Sequence, residues 1–152
     1  MKSKVKKFEN FKQSEMPEMP GIKIDYDLLD EIMIDFVHMG LDYEITINSS
    51  IIIKDFEKFN NKDFTLVGKE VKENLIIDFY IKDSPNKIEI KYFEEALDMV
   101  SNFLHNEYGL KLNYIYVRLY SARMNKYFKD IESIKKEFGN NFLADHLAIS
   151  FY

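Results

Sequence analysis

Three polar residues interrupt two apolar runs in the middle of the chain. Asp78 stands inside Leu75-Ile76-Ile77-Asp78-Phe79-Tyr80-Ile81, and Glu89 and Lys91 stand in Ile88-Glu89-Ile90-Lys91. Between the runs lies the turn signal Ser84-Pro85-Asn86. A buried, unpaired carboxylate is costly, so Asp78 must face solvent, have a partner or hold a ligand. Side chains alternate along a strand. With a connection of even length, Ile77, Phe79, Ile81, Ile88, Ile90 and Tyr92 share one face, and Asp78, Tyr80, Lys82, Lys87, Glu89 and Lys91 share the other. A four-residue loop sets Asp78 opposite Lys91 and diagonal to Glu89, with diagonal Cβ atoms about 7–8 Å apart. Two carboxylates at that spacing can share one divalent cation. A lysine beside them can orient or help deprotonate a water on the metal. An odd loop splits the trio across the sheet. The same residues also read as the solvated face of an ordinary amphipathic strand.

The elements that must position them follow from periodicity. Residues 25–40 read as a helix with Leu28, Ile32, Phe36 and Met39 on its stripe, Asp25 or Asp27 as cap and Gly40 as stop. Residues 41–48 alternate as a half-buried strand. The run 51–60 carries both a strand signal, its triple isoleucine, and a helix signal, the Ser49-Ser50 cap with Ile52, Phe56 and Phe59; the helix is preferred. Residues 63–71, 74–82 and 87–93 read as three strands of an antiparallel meander. A helix over 93–108 follows, with Leu97, Val100 and Leu104 on its stripe and Gly109 at its end. Then come a strand over 112–121 and a helix built on Tyr127 or Phe128, Ile131, Ile134 and Phe138. The apolar tail 141–152 has no clear assignment. The expected fold is α/β, with α+β as the alternative: a mixed four- to five-stranded sheet flanked by helices.

Helix, three meandering strands, helix and strand, with Asp78 on the second strand and Glu89-x-Lys91 on the third, resembles the restriction-endonuclease-like, or PD-(D/E)xK, nuclease superfamily over residues 51–120. The resemblance implies a restriction-endonuclease-like core and hydrolysis of nucleic-acid phosphodiesters with Mg²⁺ or Mn²⁺. It implies that Asp78 and Glu89 ligate the cation, that the carbonyl of Ile90 adds a ligand, and that Lys91 serves the attacking water. An acid from the first helix, Asp55 or Glu57, would complete the set. Ile77 replaces the motif's proline, and no glutamine or tyrosine motif follows on the next helix.

The 152 residues suffice for one domain with a core, and hydrophobic residues at 46% with charged residues at 31% are ordinary globular composition. We divide the chain into a basic, proline-containing leader over 1–21 and a single domain over 22–152. The net charge of −5 argues against bulk electrostatic wrapping of duplex DNA. Zero cysteines leave no disulfide framework, thiolate metal site or cysteine nucleophile. With no apolar run long enough for a membrane helix and no secretory pattern, the expected location is the cytoplasm and no membrane partner is expected.

Other constellations are weaker. His38, His105 and His146 form no ligand pair and read as surface or helix-edge residues. No phosphate-binding glycine loop or nucleophile elbow occurs. Gly68 reads as a bulge near Asp78. Tyr114, Tyr116, Arg118 and Tyr120 share a strand face, suited to stacking bases or to packing under a helix, and packing is preferred. Beside the nuclease stands a non-catalytic acidic binding protein (an inhibitor, immunity or counter-defence factor) whose acids among residues 14–35 meet a basic protein partner. An oligomer built on the tyrosine-rich sheet is a third option.

Overall fold

A computed structural model describes residues 21–38, 40–62, 70–81 and 87–152. The fold mixes α and β: a five-stranded sheet, a two-stranded ribbon and, among the described residues, five helices. In chain order these are α1 (Tyr26–Ile32), α2 (Ile34–His38), β1 (Leu41–Ile51), α3 (Phe56–Asn60), β2 (Val71–Ile81), β3 (Ile88–Glu89), α4 (Ile90–Tyr108), β4 (Leu112–Leu119), β5 (Met124–Phe128), α5 (Ile131–Phe138), β6 (Leu143–Ala144) and β7 (His146–Phe151). The large sheet runs β1-β2-β7-β4-β5, with every neighbour antiparallel, and β3 pairs with β6 in the ribbon. No helix among the described residues is long and apolar enough to cross a membrane.

One face of the sheet builds the core. Tyr43, Ile45 and Ile47 of β1, Leu75, Ile77 and Phe79 of β2, Leu147, Ile149 and Phe151 of β7, and Ile115 and Val117 of β4 all point into it. Strict alternation on β1 and β2 is what one covered face requires. Helix α4 lies against this face through Phe93, Ala96, Leu97, Val100 and Leu104. Phe36, Phe79 and Phe93 meet with ring centroids 4.5, 5.3 and 5.1 Å apart and so lock α2, β2 and α4 together. Gly109 ends α4 in the left-handed region at φ 68°, where a side chain is strained.

The expected strand over 87–93 is corrected. Only Ile88 and Glu89 are extended, and α4 begins at Ile90. Ile90 is three residues before Phe93 and seven before Leu97, so it starts the helical stripe that enters the core. The three-stranded meander fails with it, because β2 pairs with β1 and β7 instead. Of its first strand, expected over 63–71, residues 63–69 with Gly68 lie outside the described residues while Val71 opens β2; the turn at Ser84-Pro85-Asn86 and the leader up to residue 20 lie outside them too. The mixed sheet is corrected to an antiparallel one.

Three further assignments change. Tyr127 and Phe128 belong to β5, and α5 starts only after Asp130, which caps it by accepting from the Ser133 N–H at 2.8 Å. The N-terminal helix breaks at Met33, and its buried stripe is Tyr26, Leu29, Met33 and Phe36, while Leu28 is 38% exposed. The unassigned tail supplies β6 and β7, and β7 is the sheet's middle strand. The helix preferred over 51–60 holds for Phe56–Asn60, capped by Asp55, while Ile51 ends β1.

Candidate functional site

Alternation that sends Ile77 and Phe79 inward sends Asp78 to the other face of the sheet. Register defines a row across five strands there: Glu44, Asp78, Ala148, Tyr116 and Tyr127. The row spans about 19 Å at ordinary strand spacing. Asp42, Tyr80, His146 and Arg118 flank it on one side, and Thr46, Ile76, Ser150 and Tyr114 on the other.

Part of this face is covered. The chain leaving β1 crosses it with Ile52 and Ile53 buried. A closed polar network fixes the crossing. The Ile53 N–H donates to Asn113 Oδ1 at 3.0 Å, and Asn113 Nδ2 donates to the Ile51 carbonyl at 3.1 Å and to Asn74 Oδ1 at 3.0 Å. Ser150 Oγ donates to the same Asn74 oxygen at 2.6 Å, and Asn74 Nδ2 donates to the Lys72 carbonyl. Asn74, Asn113 and Ser150 are all buried, and bonding of this kind is what makes their burial tolerable. Helix α3 then sets Phe59 edge-on to Tyr127 at 5.0 Å. Tyr127 in turn packs on Tyr114 at 4.9 Å and Tyr116 at 5.0 Å. Burial, with the neighbouring Tyr127 next, pushes the Tyr114 phenol up to about 12. Burial likewise raises Tyr127. The expectation that these tyrosines pack under a helix is met at this end of the face only.

The remainder is partly open, with Ala148 at its centre buried. His146 Nε2 lies 3.1 Å from Asp78 Oδ1, with the two side chains 22% and 36% exposed. The His146 ring meets Tyr116 edge-on at 5.8 Å, and Arg118 is exposed with its guanidinium 5.3 Å from the Tyr120 ring centroid. Acids therefore line the β1–β2 side, and aromatic rings line the β4–β5 side. Between them Ala148, a single methyl group, sits in register with both Asp78 and Tyr116.

The sequence-expected residues do not gather here. Glu89 sits in the two-residue β3, opposite Leu143 of β6, at the cap position of α4. Ile90 and Lys91 open α4, which packs on the covered face; the Ile90 N–H donates to the Phe142 carbonyl. The sheet thus lies between Asp78 and the helix that carries Lys91. Glu57 is exposed on α3, and Asp55 spends its carboxylate capping that helix through the Lys58 N–H at 3.1 Å. No group of three or more histidines and acids poised for a metal occurs among the described residues.

Two acids of the N-terminal stretch are also engaged. Asp25 caps α1, and Asp30 accepts from the Tyr43 hydroxyl, an arrangement that, after burial, raises the Tyr43 phenol. Asp27 and Glu31 stay exposed on α1. His146, expected as a surface or helix-edge residue, lies instead on β7 beside Asp78, a partner 68 positions away that local pattern does not encode. No family model matches the chain, no curated protein is similar to it, and no solved structure is similar to it.

Proposed function

We propose that this chain is a non-catalytic acidic binding protein that takes a basic protein partner on the open face of its sheet. The observation that carries the proposal is the division of that face, with Asp42, Glu44 and Asp78 on one side and Tyr116, at the margin of the packed tyrosines, on the other. A lysine or arginine that reaches the half-exposed Asp78 carboxylate beside the Tyr116 ring meets a carboxylate and an aromatic ring together, which suits a cation with an apolar stem. The net charge of −5 adds long-range attraction for such a partner. A short oligolysine peptide is the first probe. Its binding weakens with salt and falls in the triple variant Asp42→Asn, Glu44→Gln, Asp78→Asn. Removing three exposed acids from α4 instead (Glu95→Gln, Asp98→Asn, Glu107→Gln) leaves most of the binding. Equal losses in the two triple variants overturn the assignment to this face.

A Mg²⁺- or Mn²⁺-dependent nuclease with a restriction-endonuclease-like core is the second reading. Asp78 supports it by holding a mid-strand, half-exposed place with an imidazole beside its carboxylate. Such a nuclease also needs a second acid and a lysine at the same cation, and Glu89 and Lys91 stand on other elements. Incubating purified protein with plasmid and single-stranded oligonucleotides in Mg²⁺ or Mn²⁺ separates the two. Cleavage lost in both Asp78→Ala and Lys91→Ala restores the nuclease.

A further inference from the structure

The large sheet has two outer edges, and they are treated differently. At the β5 edge the side chain of Asn60 imitates a neighbouring strand. Its Nδ2 donates to the Tyr127 carbonyl and its Oδ1 accepts from the Tyr127 N–H, both at 2.8 Å. That edge is blunted. At the other edge stands β1, which pairs with β2 through all 11 residues with no bulge. Its sequence, Leu41-Asp42-Tyr43-Glu44-Ile45-Thr46-Ile47-Asn48-Ser49-Ser50-Ile51, holds no proline or lysine, two usual means of protecting an edge, and its only charges are Asp42 and Glu44 in the first half. Among the described residues no other strand pairs with its outer side; the Tyr43 N–H is met only by the adjacent Asp42 carboxylate, at 3.0 Å, and the Ile51 carbonyl only by Asn113.

We propose that β1 is a self-association edge, on which a second copy of this chain lays its own β1 antiparallel about a two-fold axis at Thr46, joining the two five-stranded sheets into one. The sequence of β1 is self-complementary in this register. A two-fold at Thr46 pairs Leu41 with Ile51 of the second copy and so uses the whole strand. On the open face Asp42 meets Ser50, Glu44 meets Asn48 and Thr46 meets Thr46. On the core side Ile45 meets Ile47. Each acid faces a neutral hydrogen-bonding side chain, and β-branched residues meet at the centre, both favourable cross-strand pairings. Moving the axis to Glu44 sets that acid against itself, and moving it to Tyr43 sets Asp42 against Glu44, so charge disfavours those shorter registers. An isologous contact of this kind closes as a dimer and grows no further. The association shares Asp42 and Glu44 with the proposed basic-partner face, but its centre is Thr46, which that face does not use, so the variants at Thr46 and Asn48 test it separately.

The test uses the full chain in light scattering across a dilution series. Wild type is expected to move from twice 18.2 kDa to 18.2 kDa on dilution. Thr46→Arg and Thr46→Glu each place like charges on the axis and weaken association about fivefold or more, while an equimolar mixture of the two recovers it. Because the chain has no cysteine, Thr46→Cys is a unique reporter. Mild oxidation links it into a disulfide dimer. It does not link Asn48→Cys, whose two copies lie about 13 Å apart along the strands. A wild type that is monomeric at every concentration overturns the proposal. So does a dimer indifferent to both charge variants, or oxidation that links Asn48→Cys as readily as Thr46→Cys.

Discussion

Asn113 does more for this fold than its size suggests. It bridges a backbone N–H, a backbone carbonyl and a second buried amide, and it occupies the irregular position between Leu112 and Tyr114 where β4 shifts register against β7. Asn113→Ala leaves the Ile53 N–H and the Ile51 carbonyl without their partner in a buried place. The expected loss is about 1–3 kcal/mol per group left unsatisfied, read from urea denaturation with an unchanged slope. Tyr114, one residue on, makes a prediction in pH. Its phenol is raised above the ordinary value, so the folded state holds the proton more tightly than the unfolded chain. The stability this provides is complete below about pH 10 and is lost as pH climbs through the folded value near 12. Tyr114→Phe removes that part of the alkaline decline. Denaturation midpoints taken across this range for both proteins check it, with phenolate absorbance following the ionisation directly.

At the scale of elements, α4 decides how the rest is arranged. Its first turn brings Phe93 against Phe36 and Phe79, so the segment 90–93 is helical because two other elements, α2 and β2, need that ring in the core. Phe93→Ala is expected to cost about 3–5 kcal/mol and to broaden the aromatic signals of α2 and β2 in NMR spectra. The same residues explain what could be read from sequence. On β1 the period of two and the apolar set agree, and the strand is plain. At Ile88-Glu89-Ile90-Lys91 both periods fit, and only the long-range contact of Phe93 chooses between them. Tyr127 and Phe128 fit a helical stripe equally well, until Asn60, 67 positions away, pairs with the Tyr127 backbone as a strand would. β7 is faint in the sequence because a middle strand is buried almost throughout, Ala148 and Ser150 included, so the alternation of His146, Ala148 and Ser150 with Leu147, Ile149 and Phe151 carries little contrast. The place of Asp78 was legible, since Ile77 and Phe79 force it outward. The company it keeps was not, because His146, Tyr116 and Glu44 come from three other strands whose order local patterning does not encode.

Across the whole molecule the sheet separates two environments. The covered face holds the aromatic and aliphatic core under α4, and the other face gathers the carboxylates of Asp42, Glu44 and Asp78. Glu44 and Asp78 stand directly opposite one another on β1 and β2, an arrangement of like charges that opposes strand pairing. Proteins retain such conflicts where function requires them. Asp78→Asn separates the two roles, because the amide oxygen still accepts from His146 while the charge facing Glu44 is gone. The variant is expected to gain about 0.2–1 kcal/mol in urea denaturation at neutral pH and low salt, and the gain shrinks as salt screens the pair. Its oligolysine affinity falls over the same conditions. Stability rising while binding weakens marks Asp78 as a residue kept for contact with a cationic partner. A variant that loses stability together with binding would instead mark the Asp78–His146 pair as a strut of the fold, and the contact surface would then shift toward Asp42 and Glu44 on β1.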